Sequence, residues 1–386
     1  MALLPWILFA AILLVLIPFS WYWRNQALKG VTLEASFSKT HAFPGEEVEL
    51  CYRASNRKWL PVPWLFSKDV LPKDVHVIGG RLTRHHQQGW QELRHTWPLG
   101  SHETLERCYK AIPLRRGRMV LREVELTLHH PFVAETASQR QEAVTSLIVY
   151  PRALDLPAEM AAAADPAGVR EKQRWLFPDP LRVVSIRPYE PGDPMRFIHW
   201  PATARTGELQ VRKITSAIQP STVLFLEART RPDQWYETDP ESLEPAIAVA
   251  AGLVRRFLLE GEAVGLVSNG SVFQGPRHIR VGPGRGSSHW QRLYESLALI
   301  SGYSLASLPA LMRQEGRKLG PESRWIVVTP VLYPALLAEI HRAARERWVL
   351  LITVGGPAPQ VKGIRHLHVP PHLIADWQEA APHVVR

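Results

Sequence analysis

Apolar and polar positions follow three rhythms along the chain. From residue 31 to about 150 the period is two. In "VELCYRA", Val48, Leu50 and Tyr52 fall on one side and Glu49, Cys51 and Arg53 on the other, the alternation of a strand with one buried face. "VTLEASF", "ELRHTWPL", "TLERCYKAI", "MVLREVELTL" and "VTSLIVYP" are similar short runs, separated by turn-forming stretches such as "FPGE", "SNRKWLPVP" and "RRGR". Strands at such intervals predict a β-sandwich domain over residues 30–150. From about residue 220 the rhythm changes. "TVLFLEA" is a continuous apolar run, as in a strand buried on both faces. Helical spacing follows at Ile247, Ala250, Val254 and Phe257, with Ser242 as cap and Gly261 as stop. "AVGLVS", a stripe at Trp290, Leu293, Leu297 and Ile300 capped by Ser287 or Ser288, "WIVVT", a helix around 332–344 and "WVLLITV" continue the alternation. Strands alternating with helices predict a parallel, doubly wound sheet. Residues 151–180, Ala-rich and punctuated by Pro, read as a linker to a final domain at 181–386.

The third rhythm is none at all. Residues 3–23, "LLPWILFAAILLVLIPFSWYW", carry no charge. A membrane-spanning helix needs about 20 such residues, and Trp21, Tyr22 and Trp23 resemble an interfacial aromatic belt. A transmembrane anchor is therefore expected over residues 1–24, single-pass, since no second run of that length follows. Arg24 and Lys29 on its C-terminal side place the bulk of the chain in the cytoplasm.

Charge adds a direction without choosing a partner. Lys and Arg number 46 against 36 Asp and Glu, a net charge of +10, which suits an anionic surface. Only Cys51 and Cys108 are present. Strand parity puts both on the outward side, against a disulfide across the core, and two reduced thiols fit a cytoplasmic domain. No HExxH, GxSxG, Walker A or GxGxxG pattern is found, so no catalytic residue, cofactor or metal is expected. "VGPGRGSSHW" at 281–290 reads as a flexible turn. At the end of the first α/β strand stand Glu227, Arg229 and Arg231, two fixed cations where a hard metal ion would want oxygen ligands.

The densest local chemistry is "RPYEPGDPMRFIHW", residues 187–200. Asp193 followed by Pro194 predicts a capped short helix running to about His199 and limited by Pro201. The acids and arginines suit either a structural knot or a partner-facing site. The pattern Arg187-x-Tyr189-x-x-Gly192-Asp193-x-x-Arg196-x-Ile198-x-Trp200-x-x-x-Ala204-Arg205 resembles the signature of the "domain of unknown function 58" family. The β stretches "FPGEEVELCYRASNRKWLPVPWL" and "LRRGRMVLREVELTLHHPF" and the segment "GRGSSHWQRLYESLALI" are similar to that family as well.

The resemblance implies a Rossmann-type α/β domain like the von Willebrand factor A domain, in an adaptor or assembly protein of the bacterial inner membrane. The implied partners are a MoxR-type AAA+ ATPase and other envelope proteins. Its signature residues Arg187, Tyr189, Gly192, Asp193, Arg196, Trp200 and Arg205 become candidates for partner binding. Many members carry an Asp-x-Ser-x-Ser-like metal site. Here the matching positions are Glu227, Arg229 and Arg231, and Pro330 stands at the later Asp position, a degenerate site. An envelope-associated hydrolase is the alternative function, and nucleic-acid binding through the basic surface is the weaker one.

Overall fold

The computed structural model describes residues 28–129, 136–158, 183–190, 193, 195–214, 221–232, 239–273 and 275–381, with isolated positions Leu14, Pro18, Gln26 and Met160. The chain divides into two units, the first centred on residues up to Arg152 and the second on Ala153–Glu379.

The period-two segment builds ten strands: β1 (Val31–Phe37), β2 (His41–Ala42), β3 (Val48–Asn56), β4 (Val62–Pro72), β5 (Val75–Ile78), β6 (Arg81–Arg84), β7 (Trp90–Leu99), β8 (Thr104–Pro113), β9 (Gly117–His129) and β10 (Thr136–Val149). They form a four-stranded sheet, β1-β3-β8-β5, and a six-stranded sheet, β2-β10-β9-β4-β7-β6. Leu33, Leu50, Tyr52, Leu65, Leu93, Trp97 and Leu126 are buried in one core between them. The inward face also carries polar groups. The Tyr52 hydroxyl donates to the buried Asp69 carboxyl, and Trp97 Nε1 donates to Ser67 Oγ at 2.8 Å.

The second unit begins with a two-stranded hairpin of β11 (Val183–Pro188) and β12 (Gln210–Ile214), whose connection holds the helix α1 (Trp200–Thr206). A six-stranded sheet follows from β13 (Thr222–Leu226), β14 (Val264–Ser268), β16 (Ile279–Gly284), β18 (Arg324–Thr329), β19 (Val349–Val354) and β20 (Arg365–Val369). Its order is β16-β14-β13-β18-β19-β20, parallel throughout except for β16 at one edge. β15 (Gly270–Val272) and β17 (Ile300–Ser304) form a separate short pair. The helices are α2 (Pro240–Leu259), α3 (Ser287–Leu299), α4 (Leu308–Gly316), α5 (Pro334–Glu346) and α6 (Pro371–Glu379). Val223, Phe225, Trp325, Val327 and Leu351 face Leu308, Met312, Leu336 and Ile340 of α4 and α5. The apolar runs thus bury both faces, as parallel strands require. Gly252 lets residues 153–156 lie against α2, since a Cβ there would meet the Leu154 carbonyl oxygen at 2.2 Å.

Several sequence expectations need correcting. The transmembrane anchor falls outside the described residues except for Leu14 and Pro18, and among the described residues no helix is long and apolar enough to cross a membrane. The transmembrane element of the fold class, the single-pass assignment and the inner-membrane localisation built on it are withdrawn. The two thiols are not free: a disulfide joins Cys51 to Cys108. The two residues stand directly opposite each other in the β3–β8 register, on the outward side that parity assigned them. Parity excluded a bridge between sheets but said nothing about a bridge between neighbours on one sheet. Cys51 and Cys108 therefore do not mark a cytoplasmic domain.

Capping differs too. Asp239, not Ser242, caps α2, accepting from Glu241 N, and Ser242 Oγ donates to Asp239 at 2.6 Å. α3 starts after Gly286 with no side-chain cap. The stretch read as a flexible turn supplies instead the antiparallel edge strand β16.

Candidate partner-binding site

The hairpin of β11 and β12 is held by Arg187, which pairs with Asp193 and, at 3.8 Å, with Glu190, and by a capped helix. Arg187 donates two parallel hydrogen bonds, Nη1 to Asp193 Oδ2 and Nη2 to Oδ1, both at 2.7 Å. Asp193 Oδ2 also accepts from Glu190 N at 3.0 Å, and Asp193 N donates to Glu190 O at 3.1 Å. The guanidinium and this amide hold the Asp193 carboxyl below the usual carboxylate range. A bidentate pair of this kind fixes orientation as well as distance. The short helix expected between Asp193 and His199 is a single 3-10 turn, Met195–Phe197, and the Asp193 carboxylate is committed to Arg187. A separate helix, α1, follows, capped by His199, whose Nδ1 accepts from Ala202 N at 3.1 Å. Pro201 lies in the first turn of α1, where a missing N–H costs nothing, beyond the end of the 3-10 turn at Phe197. Gly207 closes α1 at φ 75°, its N–H on Thr203 O, a left-handed cap natural to Gly.

This frame is pinned by small buried contacts. Ile198 and Val211 are buried and bridge, His199 N donates to Gln210 O at 2.7 Å, and Tyr189 N donates to Leu209 O at 2.9 Å. Around it, large apolar side chains stay in solvent: Met195 at 74%, Trp200 at 65%, Ile186 at 44% and Leu209 at 42% exposure. Of the signature candidates, Arg187 and Asp193 thus bind each other, Trp200 is exposed on the first turn of α1, and Arg205 is exposed in its last turn. Tyr189 is half-buried. Gly192 and the side chain of Arg196 lie outside the described residues.

The second candidate position is the C-terminal edge of the parallel sheet. The strand order runs outward from β13 in two directions, so the end of β13 is the topological switch point, where such sheets take ligands. Glu227 stands there, fully buried. Its Oε2 accepts from Tyr333 Oη at 2.6 Å. Its Oε1 accepts from Arg229 N at 2.9 Å and from Asn269 Nδ2. Asn269 also donates to Ser304 Oγ at 2.7 Å and accepts from Ala228 N at 2.8 Å. The Arg229 guanidinium lies over the Tyr333 ring, 4.9 Å from its centre. Burial raises the Glu227 carboxyl and the Tyr333 hydroxyl above their ordinary values. Arg231 is exposed.

Both oxygens of Glu227 are therefore engaged by protein donors, and Thr329 Oγ1 is turned to the backbone of Val331. The nearest charge is a cation. These residues do not fit a hard divalent ion, which needs several free oxygens. Elsewhere among the described residues, Cys51, Glu106 and Cys108 come together, but the two sulfurs are spent in the disulfide. Sequence reasoning found Glu227 and Arg229 and missed Asn269, Tyr333 and Ser304. Asn269 directly follows β14 and Tyr333 precedes α5, so a search for polar residues just past each strand would have found both.

The second unit is thus an α/β domain with a mostly parallel sheet, preceded by a signature hairpin. Residues 185–356 match the family described as "Protein of unknown function DUF58". No curated protein matches the chain. Among solved structures, AvmM, which catalyses macrocyclization in alchivemycin A biosynthesis, is 10% identical over 32% of this chain and 92% of its own, at a TM-score of 0.23. A cohesin–dockerin complex from Clostridium thermocellum is 9% identical over 31% and 99%, at 0.22. The CARDB domain of PF1109 from Pyrococcus furiosus is 13% identical over 31% and 93%, at 0.19. Scores this low carry neither fold nor function to this chain.

Proposed function

We propose that the chain is a non-enzymatic protein-binding scaffold, an adaptor or assembly factor whose DUF58 hairpin docks a protein partner. The observation that supports this reading is the exposure of Met195, Trp200, Ile186 and Leu209 on a segment whose backbone is fixed by the Arg187–Asp193 pair and the α1 caps. Exposed apolar groups on a rigid frame mark interaction surfaces, and Trp and Met are enriched where proteins meet. The switch point supports the same reading from the other side. Its one buried carboxyl is bound by Tyr333, Asn269 and the Arg229 amide, so the usual ligand edge is filled by the protein itself. Resemblance suggests the partner, a MoxR-type AAA+ ATPase, acting on a von Willebrand factor A-like domain. The test is capture of the purified ATPase from the same cell on immobilised chain. Wild type retains it and Trp200→Ala, with unchanged circular dichroism, does not. Equal retention by both would remove the hairpin from the interface.

A further inference from the structure

The β-sandwich unit has a concave surface of its own. A cavity of about 900 Å³ is lined by Lys68, Arg81, Arg94 and Arg107, with Glu125 as its one lining carboxylate. Three of these cations are stacked by the strand register. Arg81 of β6 stands opposite Arg94 of β7, and Arg94 stands opposite Lys68 of β4. Like charges directly opposite on neighbouring strands destabilise a sheet. The protein offsets only part of this. Glu92 takes Lys68 at 3.1 Å and Arg94 at 2.7 Å, and Glu125 lies 3.8 Å from Lys68, whereas Arg81 makes no ion pair among the described residues. Arg107 sits over the Trp97 ring, 4.9 Å from its centre, also without an ion pair among the described residues. Beside them Tyr109 shares a 2.9 Å hydrogen bond with His95 Nδ1, and His95 Nε2 is buried with no partner. Burial and Arg107 keep His95 neutral, its value lowered to about 4.

A sheet that lines up cations and pairs only some of them holds a repulsion that an anion relieves. The size of the space fits a small molecule: binding pockets run from about 300 to 1,000 Å³. We propose that this cavity binds a compact polyanion, a small molecule bearing two or more carboxylate or phosphate groups. Arg81 and Arg107 supply the free charge, and the Tyr109 hydroxyl supplies orientation. The site lies in a different unit from the DUF58 hairpin and does not depend on the docking reading.

The experiment titrates the full chain with sodium pyrophosphate and with citrate at constant ionic strength, by calorimetry and by thermal unfolding. A twelve-nucleotide single strand serves as the rival ligand. Either small anion should bind saturably and raise the melting temperature beyond the effect of sodium chloride at matched ionic strength. Pyrophosphate alone identifies a phosphate site, and citrate alone identifies a carboxylate site. Arg81→Gln should raise the melting temperature of the free protein and weaken the anion about tenfold, the loss expected for one charge-assisted contact. Arg107→Gln should weaken binding similarly. The proposal is overturned if neither anion gives a saturable response, if both variants respond like wild type, or if the oligonucleotide binds more tightly than both anions.

Discussion

The hairpin and the switch point use the same ingredients to opposite ends. Each has an acid, an arginine and an aromatic ring. In the hairpin, Asp193 is held in a bidentate pair with Arg187 and its carboxyl is pulled down. The aromatic ring, Trp200, is left in solvent. At the switch point, Glu227 is buried and its carboxyl is pushed up, and the ring of Tyr333 closes over it with Arg229 above. One arrangement stiffens a surface and presents it. The other fills a site. Which one a motif builds depends on where the strands place it, not on its composition.

The contrast is broken most severely at Glu227. Glu227→Ala would leave Tyr333 Oη and the Arg229 amide without their acceptor in the interior and remove one of those that Asn269 Nδ2 uses. Stranded buried donors cost about 1–3 kcal/mol each, so a loss of about 3 kcal/mol in denaturant unfolding is expected. Glu227→Gln, which keeps an acceptor, should lose roughly half of that. Equal losses for the two variants would mean that charge rather than hydrogen bonding holds the site.

The next effect sharpens the comparison with a second buried acid. Asp69 is raised to about 6 by burial, and the nearby His95 is lowered to about 4. The folded protein therefore holds an extra proton on Asp69 between about pH 4 and 6, and stability from this group falls as pH rises through that window. His95 works the other way. The unfolded chain binds its proton up to about pH 6.5, so its contribution rises with pH over nearly the same range. The two slopes oppose each other. Asp69→Asn should expose a stability that climbs from pH 4 to 6.5, and His95→Gln one that declines from pH 4 to 6, each by up to about 3 kcal/mol. Parallel pH profiles for the two variants would refute the assignment.

The smallest effect is local. Arg187→Gln should speed amide exchange at Tyr189, Glu190 and Asp193, whose N–H groups are bonded in this hairpin, and leave global unfolding unchanged. The lock should also weaken in the wild type as pH falls below the ordinary carboxylate range, because the lowered Asp193 must be protonated to release Arg187. A global loss of stability would make the hairpin a folding element rather than a presented surface.

Much of the architecture was legible from pattern. The outward parity of Cys51 and the continuous runs at β13, β18 and β19 are visible in the sequence because burial on one face or two sets the rhythm of apolar residues. What escaped was pairing across distance. The Cys51–Cys108 disulfide depends on register between strands that are not neighbours in sequence. The use of the Asp193 carboxylate by Arg187 and the second helix α1 with its His199 cap also escaped, since two plausible uses of one carboxylate compete and only geometry decides. Asn269 and Tyr333 joined Glu227 through sheet order, which no local window contains. The row Arg81, Arg94 and Lys68 is likewise invisible until three strands are aligned.

The most direct test compares affinities for the purified MoxR-type ATPase among wild type, Trp200→Ala and Glu227→Gln by calorimetry. The hairpin account predicts that Trp200→Ala weakens binding at least about tenfold, as for a central aromatic anchor, while Glu227→Gln binds like wild type. Unchanged binding by Trp200→Ala, or loss confined to Glu227→Gln, would contradict it.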